Sequence, residues 1–568
     1  MPMMPTRAAL VPLYVALLGA VLSLVLMPSA SASAAVDPHA ADSHAAGPHG
    51  ANGTNGTNGS HGANGSHGAG ACPGDHGAHD PAHESHQALL SVFFPFFALT
   101  VGMVTRHLMS HVPVPYTSLQ LIFGLGLGCL LYIDGFACND FGKVLLTFQR
   151  LDPHMMMNIF LPPLIFESAF SIEWHIFKKV VVQCTCVAVP GLLIASALTG
   201  LVVKALYMPW DIIWCFLVGS VLSATDPVAV VSLLKEMGAP KSLGTFIEGE
   251  SLLNDGTAVV VFTVLLEAAR GGVSYVWDPG QVIGIFLQMS IGGPLWGLAV
   301  GIVSVWFISR VFNDAEIEVT TTIVAAYLTF FLAEYYLKVS GVLAVVALGL
   351  YFGHRGRTSI SPEVEHGLHQ FWELLGFMAN TLIFIITGLI IAKTFKGLEP
   401  VDVGKLLAIY VALNVIRFLC LLLFWSCVRK IGYGLSFGDV CVSTWGGLRG
   451  AVGLALALVI KLDLKLGDIM TPVDPRAQDK MLFMVAGIVF LTLNINALTV
   501  GRVLSFFEMD KVHHSKEVYV FYMHSPCRSV LHAAVHRLAT KICPPRRVVV
   551  CCGLLVILAS LTVFCGFT

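Results

Sequence analysis

The stretch IEGESLLNDGTAVVVF, residues 247–262, decides how this chain is read. It lies inside an apolar run from about Leu243 to Ala269, long enough to cross a bilayer as a helix. Yet it carries Glu248, Glu250, Asn254 and Asp255. An ionisable group at membrane depth costs several kcal/mol, so it points to function unless it sits at a helix end. Glu248 is near the start of the run and has that simpler explanation; Asn254 and Asp255 are flanked by apolar residues on both sides. On a helix, Glu250 and Asn254 share one face and Ser251 and Asp255 the next. One carboxylate can therefore be neutralised by a structural partner while the other stays free to bind a cation or a proton.

Composition agrees with a membrane setting. The chain has 568 residues, 56% hydrophobic and 12% charged, with a formal charge of −2 and a mean hydropathy of +0.77. The charged share is about half the soluble norm. The near-zero net charge gives no footprint for nucleic acid. The apolar residues fall in many runs of roughly 18–28, which predicts an all-α polytopic membrane protein. Cysteines lie mostly inside apolar runs, where they act as small hydrophobes, and no C-x-x-C pair offers a metal site.

Five regions are expected. Residues 1–35 resemble a secretory signal peptide, with an uncleaved first helix as the alternative. Residues 36–88 form a low-complexity His/Gly/Asn-rich tail that cannot build a core. Sequons at Asn52, Asn55, Asn58 and Asn64 can be glycosylated if this tail is extracellular or luminal. Residues 89–508 hold the transmembrane domain, 509–546 a short cytosolic segment, and 547–568 a candidate additional crossing. Within the domain, about thirteen helices are expected, at 89–109, 116–133, 154–170, 180–203, 211–234, 243–269, 280–310, 317–337, 339–353, 369–392, 404–428, 437–461 and 480–507. The positive-inside bias of the intervening Lys and Arg is modest.

Two of these runs are interrupted. The fifth contains SATDPVAV, Ser223 to Val230, where Pro227 removes a backbone donor and disfavours helix at Asp226. An intramembrane break with Thr225 and Asp226 exposes carbonyls and half-helix ends suited to a cation. A simple Pro kink explains the Pro and not the adjacent Asp. The twelfth contains STWGGLRGAVG, Ser443 to Gly453, four glycines around an intramembrane Arg449. A buried Arg needs an acceptor, either carbonyls at a broken half-helix or Asp226 in the counterpart break; the alternative is snorkelling to an interface. Each broken run is followed by one with polar residues in mid-run, Asn254/Asp255 and then Asn494/Asn496. Breaks in the fifth and twelfth runs predict two inverted repeats whose discontinuous helices cross near the midplane.

Arg417, in the eleventh run, can neutralise Glu250 and leave Asp255 as the carboxylate that exchanges ligands. A carboxylate that holds either a proton or a cation is the minimum machinery for coupled antiport. Glu167, after the Pro162–Pro163 pair, is a further acid that lines a funnel or marks a helix end.

At these residues the chain resembles the sodium/proton exchangers of the monovalent cation:proton antiporter superfamily. The motifs that carry the resemblance are LPPLIFES, SATDPVAVV, IEGESLLNDGTAVVVF, the Arg417 helix, GGLRGAVGLALAL and GIVFLTL, spread over about Leu89 to Asp510. The wording is closest to the plant plasma-membrane salt-tolerance and sperm-type branches. The resemblance implies that Asp255 binds the ion with Asn254 beside it, that Glu250 pairs with Arg417, and that Asp226 and Arg449 lie at the crossed breaks. It also implies a homodimer, electroneutral exchange of Na⁺ (or Li⁺, sometimes K⁺) for H⁺, and a role in pH and sodium homeostasis. Ion ligands would be Asp255, Asn254, Asp226, Thr225 and Ser251; no cofactor and no enzymatic activity are expected. Location in the plasma membrane is expected, with an endomembrane as the alternative. Both branches carry long cytosolic regulatory regions, whereas here residues 508–568 follow the thirteenth run. Other readings are a K⁺-preferring exchanger and a non-transporting sensor or scaffold on the same fold. An intramembrane aspartyl protease would need a GxGD motif, which the sequence lacks.

Overall fold

The computed structural model describes residues 81–109, 115–133, 136, 139–149, 151–208, 210–271, 279–311, 314–397, 399–463 and 475–507. The expected leader, the His-rich tail with its sequons, and the segments 509–546 and 547–568 lie outside the described residues. Apolar chain in lipid must satisfy its backbone locally, which selects helix. The elements in order are α1 (Pro81–Met109), α2 (Tyr116–Leu130), α3 (Asp140–Gln149), α4 (Pro153–Ser171), α5 (Trp174–Cys186) and α6 (Leu192–Leu206). The first broken pair follows as α7 (Ile212–Ser223) and α8 (Val228–Glu236), then α9 (Lys241–Gly271), α10 (Pro279–Ile308), α11 (Ala315–Leu332), α12 (Gly341–His354) and α13 (Pro362–Ile391). The last are α14 (Pro400–Val428), the second broken pair α15 (Phe437–Trp445) and α16 (Ala451–Asp463), α17 (Pro475–Leu491) and α18 (Ala497–Phe506).

Among the described residues, seven stretches are long and apolar enough to cross a membrane: Trp174–Leu206, Lys241–Ala269, Gly280–Ile308, Ala315–Leu337, Pro362–Thr394, Pro400–Val428 and Arg476–Phe506. Shorter apolar helices are Val92–Leu108, Tyr116–Leu130, Ile212–Ser223 and Ala451–Lys461. Helix starts carry their own signals. Asp152 accepts from His154 N at 3.1 Å, Asp211 from Ile212 N at 2.6 Å, and Asp314 from Ile317 N at 3.2 Å. Ser436 and Asp439 form a reciprocal capping box at α15.

The structure differs from the sequence pattern in three places. α3 lies between the expected helices 116–133 and 154–170; its Phe141, Val144 and Leu145 are buried against the α1 aromatics, which a ten-residue amphipathic helix achieves and an apolar-run criterion overlooks. The fourth run starts at Trp174 instead of 180 and continues through a wide turn, Val187–Gly191, that absorbs Pro190 without ending the helix. The tenth starts at Pro362, with polar residues in its first turns that hydropathy discounts.

Packing is densest in two groups. α2, α4, α10, α12 and α13 lie against one another, and α5–α9 pack with α14–α18. Without a hydrophobic force between helices in lipid, close approach of small residues matters most. A Cβ on Gly388 of α13 would strike the Leu121 carbonyl of α2, and one on Gly297 of α10 the Ala344 carbonyl of α12. Gly388→Ala should therefore lower the Tm of the detergent-purified protein, at a cost of about 1–3 kcal/mol from overpacking. Gly126→Ala, where a Cβ meets nothing within 4 Å, should leave it unchanged or slightly raised. The opposite ranking would mean that α2 and α13 are not in contact.

Candidate functional site at two crossed helix breaks

Each break begins where a half-helix runs out. α7 ends at Ser223 because Ala224 turns extended (φ −61°, ψ 142°), and Pro227 then opens α8 with no N–H to offer. α15 ends at Trp445 with Gly446 as its cap, and α16 restarts at Ala451. The two unwound segments cross antiparallel, joined by Asp226 N donating to Leu448 O at 2.9 Å. The approach leaves no room for side chains: a Cβ on Gly450 would collide with the Asp226 carboxylate, and one on Gly447 with the Arg417 guanidinium.

The crossing brings together the carbonyl ends of α7 and α15 and the N–H ends of α8 and α16, with partial charges of both signs. Arg449, only 3% exposed, answers the carbonyls: its Nε donates to Leu222 O at 3.1 Å and its Nη1 to Gly447 O. Asp226 answers the N–H end, accepting from Val228 N at 3.0 Å. Of the two acceptors the sequence offers Arg449, the structure shows the carbonyls, and among the described residues no ion pair joins Arg449 to Asp226. The physical reason is that a half-helix terminus offers each charge a fixed partner of the opposite sign nearer than the other side chain does.

α9 passes beside the first break. Asn254 Nδ2 donates to Ser223 O at 3.1 Å and to Thr225 Oγ1 at 3.0 Å, and Ser251 Oγ lies 3.2 Å from Thr225 Oγ1. The half-buried Asp255 has the Thr225 backbone facing its carboxylate and Asp226 and Glu250 within electrostatic range. Glu250, one turn before Asn254, meets Arg417 of α14, Nη2 to Oε2 at 2.8 Å, and Arg417 Nε also reaches Ser443 O at 3.2 Å. Three carboxylates (Glu250, Asp226, Asp255) and two guanidiniums (Arg417, Arg449) thus gather at the crossing, of which Glu250 and Arg417 form an ion pair. A cavity of about 30 Å³ lined by Thr199, Ser223, Glu250, Asn254, Arg417 and Arg449 adjoins them, room enough for a water.

Glu167 does not join this group. It lies on α4 against Gly376 of α13, within electrostatic range of Glu373, Glu248 and Lys235. Glu248 itself pairs with Lys235 of α8 at 3.1 Å and Arg106 with Glu373 at 3.5 Å. Tyr116 of α2 lies within electrostatic range of Arg106, Glu167 and Glu373 and of Asp226. Glu173, just before α5 and outside the spanning stretches, accepts from Lys241 at the start of α9 at 2.8 Å, which holds its carboxyl below the usual range. Of the polar pair in the last run, Asn494 turns to Ser118 and Phe490 O, away from the break, and Asn496 turns toward it. Sequence reasoning overlooked Thr492, which accepts from Arg449 N at 3.3 Å, and Tyr410 and Asn414, which hold Asn496. The signal for Asn414 was its place three residues before Arg417, on the same face of α14.

Two broken helices thus cross among apolar helices, with the Glu250–Arg417 pair and a further carboxylate beside them, in an integral membrane protein. The chain belongs to the family described as sodium/hydrogen exchanger, transmembrane, which matches residues 96–506; it is a family of transporters, not enzymes. Sodium/hydrogen exchanger 7 of Arabidopsis thaliana is 39% identical over 426 residues, 74% of this chain and 37% of the relative. The Na(+)/H(+) antiporter ApNhaP of Aphanothece halophytica is 31% identical over 73% of this chain and 74% of its own length. The chain thus spans well under half of the Arabidopsis relative. The sodium proton antiporter MjNhaP1 from Methanocaldococcus jannaschii shares the fold, with a TM-score of 0.59 at 18% identity over 73% of this chain and 98% of that one.

The Glu250–Arg417 contact makes a prediction about stability. Removing one member leaves a buried charge without its partner, at a cost of about 3–5 kcal/mol. Glu250→Gln and Arg417→Gln should each lower the yield of monodisperse protein and its Tm, and the double variant should recover much of the loss. Additive losses in the double variant would mean that the two side chains do not act as a pair.

Proposed function

We propose that this chain is a secondary antiporter that exchanges Na⁺, and to a lesser degree Li⁺ or K⁺, for H⁺, one for one, by alternating access. The observation that carries the proposal is the surplus carboxylate. Glu250 is matched by Arg417, and Asp226 and Arg449 each rest on a half-helix terminus, so Asp255 is the acid left to exchange ligands. The Thr225 and Ser251 hydroxyls meet at 3.2 Å beside the same break and Asp226 is within electrostatic range of Asp255, which supports oxygens of these residues as the ligands of a hard monovalent cation. Asn254 keeps Thr225 in place by binding its hydroxyl and the Ser223 carbonyl. The printed names of the relatives, sodium/hydrogen exchangers and Na(+)/H(+) antiporters, support the same substrates.

In this reading the broken pairs and their neighbours form one mobile bundle, and α1–α4 with α10–α13 form a wall against which it rocks. Counting each broken or kinked pair once, and setting α3 aside, yields thirteen crossings, with α5–α9 and α14–α18 as inverted counterparts. Glu167, Glu373 and the Lys235–Glu248 pair then line the funnel at one face. The transmembrane domain runs over 89–508, works as a homodimer in the plasma membrane, and has its glycosylated N-terminal tail outside.

The test is Na⁺-driven proton flux in proteoliposomes, with Li⁺ and K⁺ run beside it. Asp255→Asn should abolish exchange while the protein still inserts, and substantial residual flux would remove the core of the proposal. Because a proton and Na⁺ compete for one negative charge, exchange should slow as the side that supplies Na⁺ is acidified. One charge moves each way per cycle, so clamping the membrane potential with K⁺ and valinomycin should leave the flux unaltered at constant Na⁺ and H⁺ gradients. Steep voltage dependence would require unequal stoichiometry and a second titrating acid, for which Asp226 is the nearest candidate.

A further inference from the structure

The first break is held by Asn254, but the second has a tie of its own that the exchange reading leaves unused. α17 passes into α18 through a wide turn, Thr492–Asn496, in which the helix takes five residues where four would suffice. That turn brings two side chains to the second break. Thr492 Oγ1 accepts from Arg449 N at 3.3 Å, just before α16 begins. Asn496 Nδ2 donates to Trp445 O at 3.1 Å, the carbonyl of the last residue of α15. Asn496 is 0% exposed and its amide is fully engaged: Nδ2 also reaches Asn414 Oδ1 at 2.9 Å, and Oδ1 accepts from Tyr410 OH at 2.5 Å. Asn414 is in turn fixed by its own bond to Tyr410 O at 2.8 Å, and the Trp445 indole is anchored on Thr499 Oγ1 at 2.7 Å.

The arrangement repeats the one at the first break. Asn254 sits on the helix after its break and donates to Ser223 O, the last residue of α7. Asn496 sits on the helix after its break and donates to the last residue of α15. Four residues before each Asn stands a group engaged with an arginine: Glu250 with the Arg417 side chain, Thr492 with the Arg449 backbone. Unpaired C-terminal carbonyls buried away from water are costly, and an amide donor supplied in a fixed direction both satisfies them and sets where the half-helix stops. We propose that Asn496, oriented by Tyr410 and Asn414, is a positioning residue of the ion site: it pins the carbonyl end of α15 and so fixes the segment that carries Leu448, Arg449 and Gly450 against Asp226.

The inference rests on the crossing being the exchange site, and the experiment separates the two. Initial rates of Na⁺-driven proton flux are measured against Na⁺ concentration in proteoliposomes and normalised to folded protein by size-exclusion chromatography. Asn496→Leu should raise the half-saturating Na⁺ concentration about tenfold, the scale of one buried hydrogen bond, with the maximal rate changed less than the half-saturation. Tyr410→Phe and Asn414→Ala, which leave Asn496 in place and loosen it, should shift the same parameter by about threefold each. Asn494→Leu, the polar neighbour that points to Ser118, should shift neither. Half-saturation equal to wild type in folded Asn496→Leu would overturn the proposal, as would a flux loss explained wholly by lost folded protein. Should Asn496→Leu fail to fold, unaltered half-saturation in both Tyr410→Phe and Asn414→Ala would overturn it equally. Absence of exchange by the wild-type protein in these vesicles would instead sink the antiporter reading, and the proposal with it.

Discussion

Everything at the centre of this protein depends on one arrangement, the burial of a guanidinium among the carbonyls of two interrupted helices. Helices must be broken to expose those carbonyls, and exposed carbonyls in an apolar bundle are unfavourable without a donor. Arg449 supplies the donors through Leu222 O and Gly447 O, and it belongs to the very segment whose unwinding creates one of the needs. The interruption and the charge therefore stabilise each other, and neither is tolerable alone. Asp226 is the mirror case, a carboxylate resting on the N–H end of α8. Once both helix ends are answered locally, the neighbouring Glu250–Arg417 pair can close on itself, and a third acid can stand beside the crossing without a dedicated counter-charge.

The close crossing sets further demands on the chain. Gly447 and Gly450 lie where any Cβ would meet Arg417 or Asp226, so the run of glycines follows from the geometry of approach. The helices flanking the breaks supply the remaining donors and acceptors from short polar side chains: Asn254 and Ser251 on α9, Thr492 and Asn496 in the last wide turn. That turn and the one at Val187–Gly191 widen the helix where it borders the site, and so change which side chains face it.

Much of this could be read from the residues in order. An all-helical membrane fold followed from apolar runs, and the family was carried by SATDPVAVV, IEGESLLNDGTAVVVF and GGLRGAVG. Pro227 and the four glycines marked the places where α7 and α15 stop, because proline and glycine act locally on the backbone. What could not be read was the choice of partner among buried groups. Arg449 had two acceptors to choose between, and the distance to a helix terminus that decides the matter is a property of the crossing angle. Asn494 and Asn496 are two residues apart and look alike in sequence, but the wide turn sends one to Ser118 and the other to Trp445 O. α3 escaped notice for another reason, since an amphipathic helix of ten residues is too short and too mixed to register as an apolar run.

The single backbone bond from Asp226 to Leu448 ties the two breaks to each other at the crossing. Side-chain bonds from α9, α14 and the Thr492–Asn496 turn tie the same breaks to their own neighbours, so the groups beside Asp255 are internal to one connected piece. If that piece moves as a unit, it is a cassette: Asp255 and the groups of the two breaks keep their mutual distances whichever way it faces. A site carried intact from one face to the other binds its cargo with the same intrinsic strength on both. Such a device has no built-in preference for import or export, and the direction of net movement is left to the concentrations on either side.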